Sequence, residues 1–428
     1  MSDVLSDAVL GAYRLAGRAA VPLLPLALSW RAKRGKEDRT RLGERFGRAT
    51  LPRPAGRLAW VHAASVGETN AVMPLIRKLT EAGIAVVFTS VTVSSAGIAA
   101  TRLPAGACHQ FAPVDVAPLV GRFLDHWRPD LALFVESELW PTTIFKLSAS
   151  GIPQILVNAR LSERSYRGWR RFSGIARSVF GRIPLCLAQS AQDAERYRAL
   201  GAPRVVVTGN LKFDAPAPDV DASVLAGFRK AVSERPVWVA ASTHEGEETI
   251  IAEAHRALRG QFPGLLTIIV PRHPARGDAI RASLGALGLN CVQRSLTEPI
   301  GEATDIYVAD TFGELGLFYR LAPIAFLGGS LVPHGGQNPI EPLRLDCAVL
   351  HGPHVHNFSD IYAIIDAAGL PRIADAPSLA TALASLLADP TTARRQAATM
   401  VNSLKPLSGA LIATMAELDP YLRGDARS

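Results

Sequence analysis

The sequence W-V-H-A-A-S-V-G-E-T-N-A, residues 60–71, predicts a strand, a tight loop and the start of a helix. The apolar run 58–61 indicates the strand, and Glu68 opens a segment with helical apolar spacing at positions 72, 75, 76 and 79. Ligands bind at the carboxyl ends of strands in an open α/β sheet, so Glu68 is expected at a substrate site. The alternative is that Glu68 only favours the first helical turn through the helix macrodipole.

Short apolar runs alternate with helical segments on both sides of a Pro/Asp-rich stretch, 214–221, whose composition is typical of a linker. This alternation predicts two α/β domains with parallel sheets, and two such domains facing each other would share a cleft. The predicted strands cover residues 58–62, 84–89, 131–136, 155–158, 185–188 and 205–208, then 237–241, 265–270, 306–308, 324–327 and 348–350. The expected boundaries are a membrane-associated segment 1–50, domains 51–213 and 222–400, and a helix within 401–428 that packs on the first domain.

Length and composition agree with two folded domains, because the chain has 428 residues, of which 48% are hydrophobic and 20% charged. The formal net charge of +8 points to an anionic partner: nucleic acid, an anionic membrane or a phosphorylated ligand. Arginines and lysines cluster in 31–48 and 160–177. Neither cluster contains an aromatic stacking motif or a reading helix, which disfavours nucleic acid.

Residues 8–30 are mostly apolar, but Arg14, Arg18, Pro22 and Pro25 interrupt the run. The two arginines would lie in the hydrocarbon core of a membrane, which disfavours a transmembrane span. Arginines within the apolar region also disfavour a signal peptide. We therefore expect an interfacial element, with its apolar face in the headgroup region and its arginines on lipid phosphates. The alternative is a helix docked on its own domain.

The cysteine and histidine pattern does not indicate a metal site. The four cysteines lie far apart without a C-x-x-C pair, which fits a reduced cytosolic environment. The motif H-x-x-H-x-H at 351–356 is a weak metal signal because no cysteine or carboxylate cluster accompanies it.

Four predicted strand ends in the second half offer backbone amides at helix starts, or cations, of the kind that hold a phosphate. They are A-S-T-H-E-G-E-E (241–248), P-R-H-P (271–274), D-T-F-G-E-L-G (310–316) and G-G-S-L-V-P-H-G-G-Q-N-P-I-E-P (328–342). In the last of these, glycines allow a ligand close to the backbone, and Glu341 is placed to accept hydrogen bonds from a ribose. Alternatively, the glycines only make turns and Glu341 compensates a helix dipole. Neither a P-loop nor a G-x-G-x-x-G motif follows the first strand.

In the first half, Glu136 and Glu138 end a strand and are expected across the sheet from Glu68. Either one is a candidate partner for Glu68. Arg160 and Arg164 follow the next strand and are candidates for holding an anionic acceptor, or else belong to a solvated basic face.

Together these segments resemble the 3-deoxy-D-manno-octulosonic acid (Kdo) transferases of Gram-negative bacteria. The matching stretches also include E-S-E-L-W-P (136–141), N-A-R-L-S-E-R-S (158–165), G-N-L-K-F-D (209–214) and R-L-G-E-R-F-G (41–47). The resemblance implies a GT-B glycosyltransferase without a bound metal, on the cytoplasmic face of the inner membrane. Its first domain would receive the lipid acceptor, lipid IVA, and its second the donor, CMP-Kdo.

The resemblance also implies roles for individual residues. Glu68 would be the general base of an inverting transfer, supported by Glu136 or Glu138. Arg272 and the amides of 313–315 would take the CMP phosphate, Glu341 the ribose, and Lys212 the Kdo carboxylate or the phosphate. The full donor set is Lys212, Ser242, Thr243, Arg272, His273, Gly313, Glu314, Leu315, Gly329, Ser330, Asn338 and Glu341, and the acceptor set is Ser65, Gly67, Arg160 and Arg164.

Two other functions remain open at this point. One is a GT-B relative that acts on another nucleotide sugar, as a transferase or an epimerase. The other is a membrane-surface module that binds a nucleotide without catalysis.

Overall fold

The computed structural model describes residues 3–214, 220–367, 369 and 372–424. The chain divides into two compact units, one formed by Met1–Ala215 with Leu407–Ser428 and the other by Pro216–Pro406. Residues 215–219 of the predicted linker lie outside the described residues.

The first unit is built on a seven-stranded parallel sheet with the order β3-β2-β1-β4-β5-β6-β7. The strands are β1 (Leu58–Ala63), β2 (Ala85–Ser90), β3 (Ala107–Phe111), β4 (Leu131–Val135), β5 (Gln154–Ala159), β6 (Leu185–Ala188) and β7 (Val205–Val207). All six residues of β1 are buried because helices cover both faces of the sheet. The order of strands reverses between β1 and β4, and this switch point is where open α/β sheets bind ligands.

Ten helices precede or flank these strands among the described residues. They are α1 (Asp3–Ala20), α2 (Leu24–Lys33), α3 (Leu42–Arg45), α4 (Val66–Glu81), α5 (Val93–Arg102), α6 (Ala117–Trp127), α7 (Pro141–Ala149), α8 (Glu163–Arg171), α9 (Ser173–Phe180) and α10 (Ala191–Ala199). Short 3-10 turns lie at Val21–Leu23, Arg39–Arg41 and Leu211–Phe213.

The second unit contains a six-stranded parallel sheet with the order β10-β11-β9-β8-β12-β13. Its strands are β8 (Val237–Thr243), β9 (Leu266–Pro271), β10 (Cys291–Gln293), β11 (Ile306–Val308), β12 (Ile324–Leu327) and β13 (Ala348–His351). Its helices are α11 (Ala222–Val232), α12 (Glu247–Leu258), α13 (Gly277–Ala286), α14 (Leu315–Leu321), α15 (Ile340–Leu343), α16 (Ser359–Asp366), α17 (Ala376–Ala388) and α18 (Pro390–Leu404), with 3-10 turns at Pro274–Arg276 and Lys405–Leu407. Here the switch point lies between β8 and β12.

The last helix, α19 (Ala410–Arg423), belongs to the first unit. Ala410 and Leu418 are buried in a cluster with apolar residues of α4. The carboxylate of Asp214 accepts hydrogen bonds from the amides of Gly409 and Leu411, at 2.8 and 2.6 Å. These amides lie at the start of α19, where helix N–H groups lack partners within the helix.

The amino-terminal helices are attached to the first unit by packing and by ion pairs. Helix α1 packs on α6 and α9. The buried carboxylate of Glu37 pairs with Arg31 at 2.8 Å and with Arg45 at 2.9 Å, and Arg45 also donates to the carbonyl oxygens of Val91 and Ala112. Part of the basic stretch 31–48 is therefore structural, where we expected the arginines on lipid phosphates. Among the described residues, no helix combines the length and the hydropathy that a membrane crossing requires.

Candidate functional site

Glu68 lies at the switch point of the first sheet, in the first turn of α4 directly after β1. Ser65 is the N-cap of α4, and its hydroxyl donates to Glu68 Oε1 at 2.7 Å. The amide of Ala64 donates to Glu68 Oε2 at 2.8 Å. The carboxylate is thus folded back over the helix start, as in a capping box, and its direction is fixed by two donors.

The pKa of Glu68 is raised from 4.5 to about 7. Burial is the main cause, the two hydrogen bonds oppose it, and the negative charges of Glu136 and Glu138 add to it. A carboxylate with a pKa near neutrality accepts a proton readily, which is the property of a general base.

Glu138 lies between aromatic neighbours after β4. Its Oε2 accepts the indole N–H of Trp140 at 2.9 Å, and Nε2 of His62 is 3.8 Å from the same oxygen. Burial acts to raise the pKa of Glu138, but the nearby His62 ring and the indole N–H of Trp140 outweigh burial and hold the pKa below the ordinary value. Glu138 is therefore ionised wherever Glu68 titrates.

Glu136 has a left-handed backbone conformation, with φ of 58°, at the end of β4. Its Oε1 accepts from Nζ of Lys212 at 2.8 Å, and both side chains are largely buried. The structure thus places Lys212, which we predicted as a donor-binding residue, in an ion pair inside the first unit. Left-handed non-glycine residues are uncommon and often occur at functional sites.

The remaining predicted acceptor residues differ in their surroundings. Gly67 lies in the first turn of α4 beside Ser65 and is exposed. Arg160 follows β5 and Arg164 lies in α8, and both are exposed. Helix α8 has no buried residue, and it packs on the core only through the partly buried Tyr166 and Trp169.

In the second unit, the Gly-rich loop after β12 is occupied by a carboxylate of the chain itself. Glu247, the first residue of α12, is fully buried and accepts four backbone hydrogen bonds. Its Oε2 takes the amides of His244 and Gly329 at 2.9 and 2.8 Å, and its Oε1 takes those of Ser330 and Leu331 at 3.1 and 3.0 Å. The amides of Gly329 and Ser330 are therefore used within the fold, and donor binding by these two residues stays a prediction.

Ser330 itself is a structural residue. Its hydroxyl donates to the carbonyl oxygen of Leu327 and accepts the amide of Gly352 at 2.8 Å, and the side chain is fully buried. Gly328 is required for the same close packing, because a Cβ there would lie 2.5 Å from the carbonyl oxygen of Ser242. The hydroxyl of Ser330 is thus used within the fold, and the place of this residue in the predicted donor set is not tested by these contacts.

The end of β8 contributes a second buried carboxylate. Ser242 has a φ of 58°, and the pairing register of β8 with β9 shifts at this residue. The next residue, Thr243, donates its hydroxyl to Glu248 at 2.8 Å. Glu248 also accepts two hydrogen bonds from Arg276, at 2.8 and 3.1 Å. Thr243 is therefore buried in an internal polar network.

Three histidines meet near this strand end. The ring of His244 stacks on His334, with centroids 4.2 Å apart, and its centroid is 6.2 Å from that of His273. Burial, followed by the charges of neighbouring histidines and arginines, lowers the pKa of His244 to about 4. Arg272 and His273 follow β9 and are exposed.

The predicted phosphate loop after β11 is braced by an ion pair. Glu314 accepts from Arg294 at 2.8 and 3.1 Å and also from the hydroxyl of Thr311, which lowers its pKa. Gly313 has a φ of 83°, and a Cβ at this position would meet no other atom within 4 Å. Leu315 begins α14.

Asn338 and Glu341 lie around a one-turn helix, α15. The side chain of Asn338 accepts the amide of Ile340 at 3.1 Å. Glu341 is partly buried in the first turn, and its charge contributes to the raised pKa of the buried Tyr319.

The first histidine of the motif at 351–356, His351, is held by ordinary hydrogen bonds. His351 is buried, with Nδ1 2.8 Å from the carbonyl oxygen of Gly352 and Nε2 2.8 Å from Asp366. Within the described part of the chain, no group of three or more potential metal ligands is found.

Several residues of these networks were missed from the sequence. Glu247 and Glu248 lie in a quoted motif, and the two adjacent carboxylates at a helix start were the available signal. No local signal identifies Arg276 or Arg294, because each contacts a carboxylate distant in sequence.

Comparison with known proteins identifies the relatives of this chain. The profile of the family described as 3-deoxy-D-manno-octulosonic-acid transferase (kdotransferase) matches residues 40–215. The 3-deoxy-D-manno-octulosonic acid transferase of Haemophilus influenzae is 34% identical over 94% of this chain and 96% of its own length. The enzyme of the same name from Bordetella pertussis is 38% identical over 90% of this chain and 93% of its own length.

Solved structures agree at the level of the fold. A glycosyltransferase from Rickettsia africae superimposes with a TM-score of 0.57 at 13% identity, over 88% of this chain and 100% of its own. The GT-B fold class that the sequence implied, with two parallel-sheet α/β units, is therefore confirmed.

Proposed function

The chain belongs to the 3-deoxy-D-manno-octulosonic acid transferases, and from this membership we propose that it transfers Kdo from CMP-Kdo to the glucosamine disaccharide of lipid IVA. It is a glycosyltransferase acting in lipopolysaccharide synthesis. The first unit takes the lipid acceptor and the second takes the nucleotide sugar.

One observation carries this proposal: the carboxylate of Glu68 lies at the switch point of the first sheet with a pKa of about 7. Two donors, Ala64 and Ser65, hold the carboxylate in a fixed direction. Each of its oxygens uses one lone pair for these bonds, so a second lone pair is left to accept a substrate proton. Capping α4 and acting as a base are therefore compatible roles for Glu68.

The reaction is a single displacement with inversion. Glu68 takes the proton of a glucosamine hydroxyl while that oxygen bonds to the anomeric carbon of Kdo. The bond from this carbon to the phosphate oxygen breaks, and CMP leaves with the electron pair. This step needs one base on the acceptor side and cations or amides that stabilise the departing phosphate.

On the donor side, we assign the CMP phosphate to Arg272 and to the loop 313–315. Arg272 is exposed at the end of β9, and Arg294 and Thr311 brace the loop through Glu314. Glu341 is assigned to the ribose hydroxyls. No metal is required by this assignment, because the arginine and the amides neutralise the charge that develops on the leaving group.

We further propose that α1 and α2 lie on the cytoplasmic face of the inner membrane. Large apolar side chains on these helices and on the 3-10 turn between them are 46–72% exposed: Tyr13, Leu15, Leu23, Leu26 and Trp30. The guanidinium of Arg34 lies over the ring of Trp30, at 3.7 Å, beside further basic residues of the 31–48 stretch. An apolar face rimmed by cations suits an anionic bilayer surface.

The test is to incubate the full chain with CMP-Kdo and lipid IVA and to measure CMP release and the mass of the lipid product. CMP release that depends on the acceptor supports the transferase. Binding of CMP-Kdo without turnover supports a non-catalytic module, and turnover of a different nucleotide sugar supports another GT-B activity.

The variant Glu68→Ala tests the assignment of the base. We expect transfer to fall by about 10²- to 10⁴-fold, which is the usual contribution of a general base, while CMP affinity stays nearly unchanged. Transfer at the wild-type rate in this variant contradicts the assignment.

A further inference from the structure

Trp60, His62 and Thr89 form a buried polar chain on β1 and β2, and β1 is the strand that leads into the Glu68 loop. Trp60 and His62 lie two residues apart on β1, so their side chains share one face of the sheet. Thr89 on β2 pairs with His62 in the strand register. All three side chains are at most 2% exposed, so their polar groups depend on one another.

Hydrogen-bond accounting fixes the position of the proton on His62. The indole N–H of Trp60 donates to Thr89 Oγ1 at 2.8 Å, and Nδ1 of His62 is 2.9 Å from the same oxygen. The hydroxyl proton of Thr89 has no other acceptor among the described residues, and a buried O–H without an acceptor is costly. Thr89 therefore donates to Nδ1, which leaves the ring proton of His62 on Nε2.

That Nε2–H is buried without a hydrogen-bond partner within the described structure. The carboxylate oxygen Oε2 of Glu138 is 3.8 Å away, about 1 Å longer than a hydrogen bond. Trp140, which donates to the same oxygen, packs edge-on against the His62 ring with centroids 4.9 Å apart. A small movement of Glu138 thus gives this N–H an acceptor.

We propose that His62, kept in its Nε2–H tautomer by Thr89, is a positioning residue that holds the Glu138 carboxylate beside Glu68. This inference rests on the proposed function, because it concerns the environment of the catalytic base. The charged groups that act on Glu68 are Glu136, which is paired with Lys212, and Glu138, which accepts the uncharged indole N–H of Trp140. The negative charge of Glu138 therefore acts on Glu68 without a paired cation, and we assign Glu138 as the carboxylate that supports Glu68.

The experiment compares paired variants of the full chain. Thr89→Val removes the hydroxyl at nearly constant shape, and Thr89→Ser restores it. His62→Phe removes the Nε2–H, and His62→Gln supplies an amide N–H in its place. We expect Thr89→Val and His62→Phe to lower kcat about tenfold or more with little change in KM for CMP-Kdo, and Thr89→Ser and His62→Gln to recover most of the rate.

Two further measurements distinguish a positioning role of His62 from an effect of the substitutions on folding stability alone. The pH at which the rate of the wild type is half-maximal should shift downward in Thr89→Val, because Glu138 no longer stays beside Glu68. Nitrogen-15 NMR of histidine-labelled wild type should show His62 as the Nε2–H tautomer, with the signal assigned from its loss in His62→Gln.

The outcomes are decisive in either direction. An Nδ1–H tautomer in the wild type overturns the proposal, and this readout needs no enzymatic activity. Equal losses of kcat in His62→Gln and His62→Phe, or a wild-type rate and pH profile in Thr89→Val, also overturn it. Absence of transfer by the wild type contradicts the proposed function instead and leaves the tautomer to be judged by NMR alone.

Discussion

At the scale of single residues, neighbouring groups shift the pKa of Glu68 in opposite directions, and each group can be changed by a separate substitution. Burial and the charges of Glu136 and Glu138 raise its pKa, whereas donors from Ala64 and Ser65 lower it. A base must be deprotonated to act, so transfer should rise with pH up to about 7 and level off above it. The titration of this one side chain therefore links the local geometry to the rate.

We predict opposite shifts of the pH profile in two variants. Ser65→Ala removes the O–H donor to Oε1, so the midpoint should move to higher pH. Glu138→Gln removes a neighbouring negative charge, so the midpoint should move to lower pH. The measurement is the initial rate of CMP release between pH 5 and 9, and shifts in the same direction contradict the account of Glu68.

The same pKa predicts how stability depends on pH. The folded pKa of about 7 lies above the ordinary value of 4.5, so the contribution of Glu68 to stability is complete below pH 4.5 and is lost as pH rises through 7. Glu68→Gln should therefore gain stability relative to the wild type between pH 5 and pH 8. Thermal melts at both pH values measure this gain, and a constant difference between the two proteins contradicts it.

At the scale of elements, the sequence predicted every interior strand and the edge strands β7 and β13, and it missed two other edge strands. The runs 58–62 and 324–327 are continuous apolar segments because helices cover both faces of a parallel sheet, and they correspond to β1 and β12. Strand β3, A-C-H-Q-F, and strand β10, C-V-Q, were missed. Both lie at sheet edges, where burial is incomplete and no apolar run is needed.

The residues of the candidate site were predictable where polar side chains follow directly after a predicted strand. Glu68, Glu136 and Glu138 were found in this way, because a strand end fixes where the next few side chains lie. The partners of these residues were not predictable: Lys212 is 76 residues from Glu136. The Gly-rich loop shows the same limit, since its amides are taken by Glu247, 82 residues before Gly329.

This loop gives a prediction at the element scale. Glu247 accepts amides of four residues, and removing its carboxylate leaves those buried donors without partners. We expect Glu247→Ala to destabilise the chain by about 2 kcal/mol or more and to weaken CMP binding, because the loop after β12 loses its attachment to the start of α12. Thermal melts, calorimetric titration with CMP and hydrogen exchange at residues 328–331 measure these effects.

The matched control is Glu245→Ala, two residues earlier in the same motif. Glu245 is exposed, so its removal should change neither stability nor amide exchange noticeably. Faster exchange at 328–331 in Glu247→Ala alone supports the bracing role. Equal behaviour of the two variants shows that the loop holds its shape without Glu247.

At the scale of the whole molecule, the chain carries a net charge of +8, but not every basic residue of the 31–48 stretch is available to partners. Arg41 and Arg45 form ion pairs with Glu44 and Glu37, and these pairs help to hold the amino-terminal segment on the first unit. Exposed arginines of the 160–177 stretch, by contrast, add positive charge to the first unit, and α9, which follows α8, packs against α1. Apolar and basic surfaces therefore occur on neighbouring helices of one unit.

A membrane-binding prediction follows from this arrangement. The full chain should bind vesicles that contain phosphatidylglycerol more tightly than neutral vesicles, and added salt should weaken this binding because it screens surface charges. Leu26 is 72% exposed on α2, and Leu26→Glu should lower the partition coefficient about tenfold or more, since burial of one leucine contributes roughly 1.5 to 3 kcal/mol.

Ile412 is 77% exposed on α19 and provides the control, because Ile412→Glu makes the same change in charge on a different helix. Vesicle sedimentation measures the binding. If both variants lose the same amount of vesicle binding, the effect comes from the net charge, and α2 is not the membrane contact.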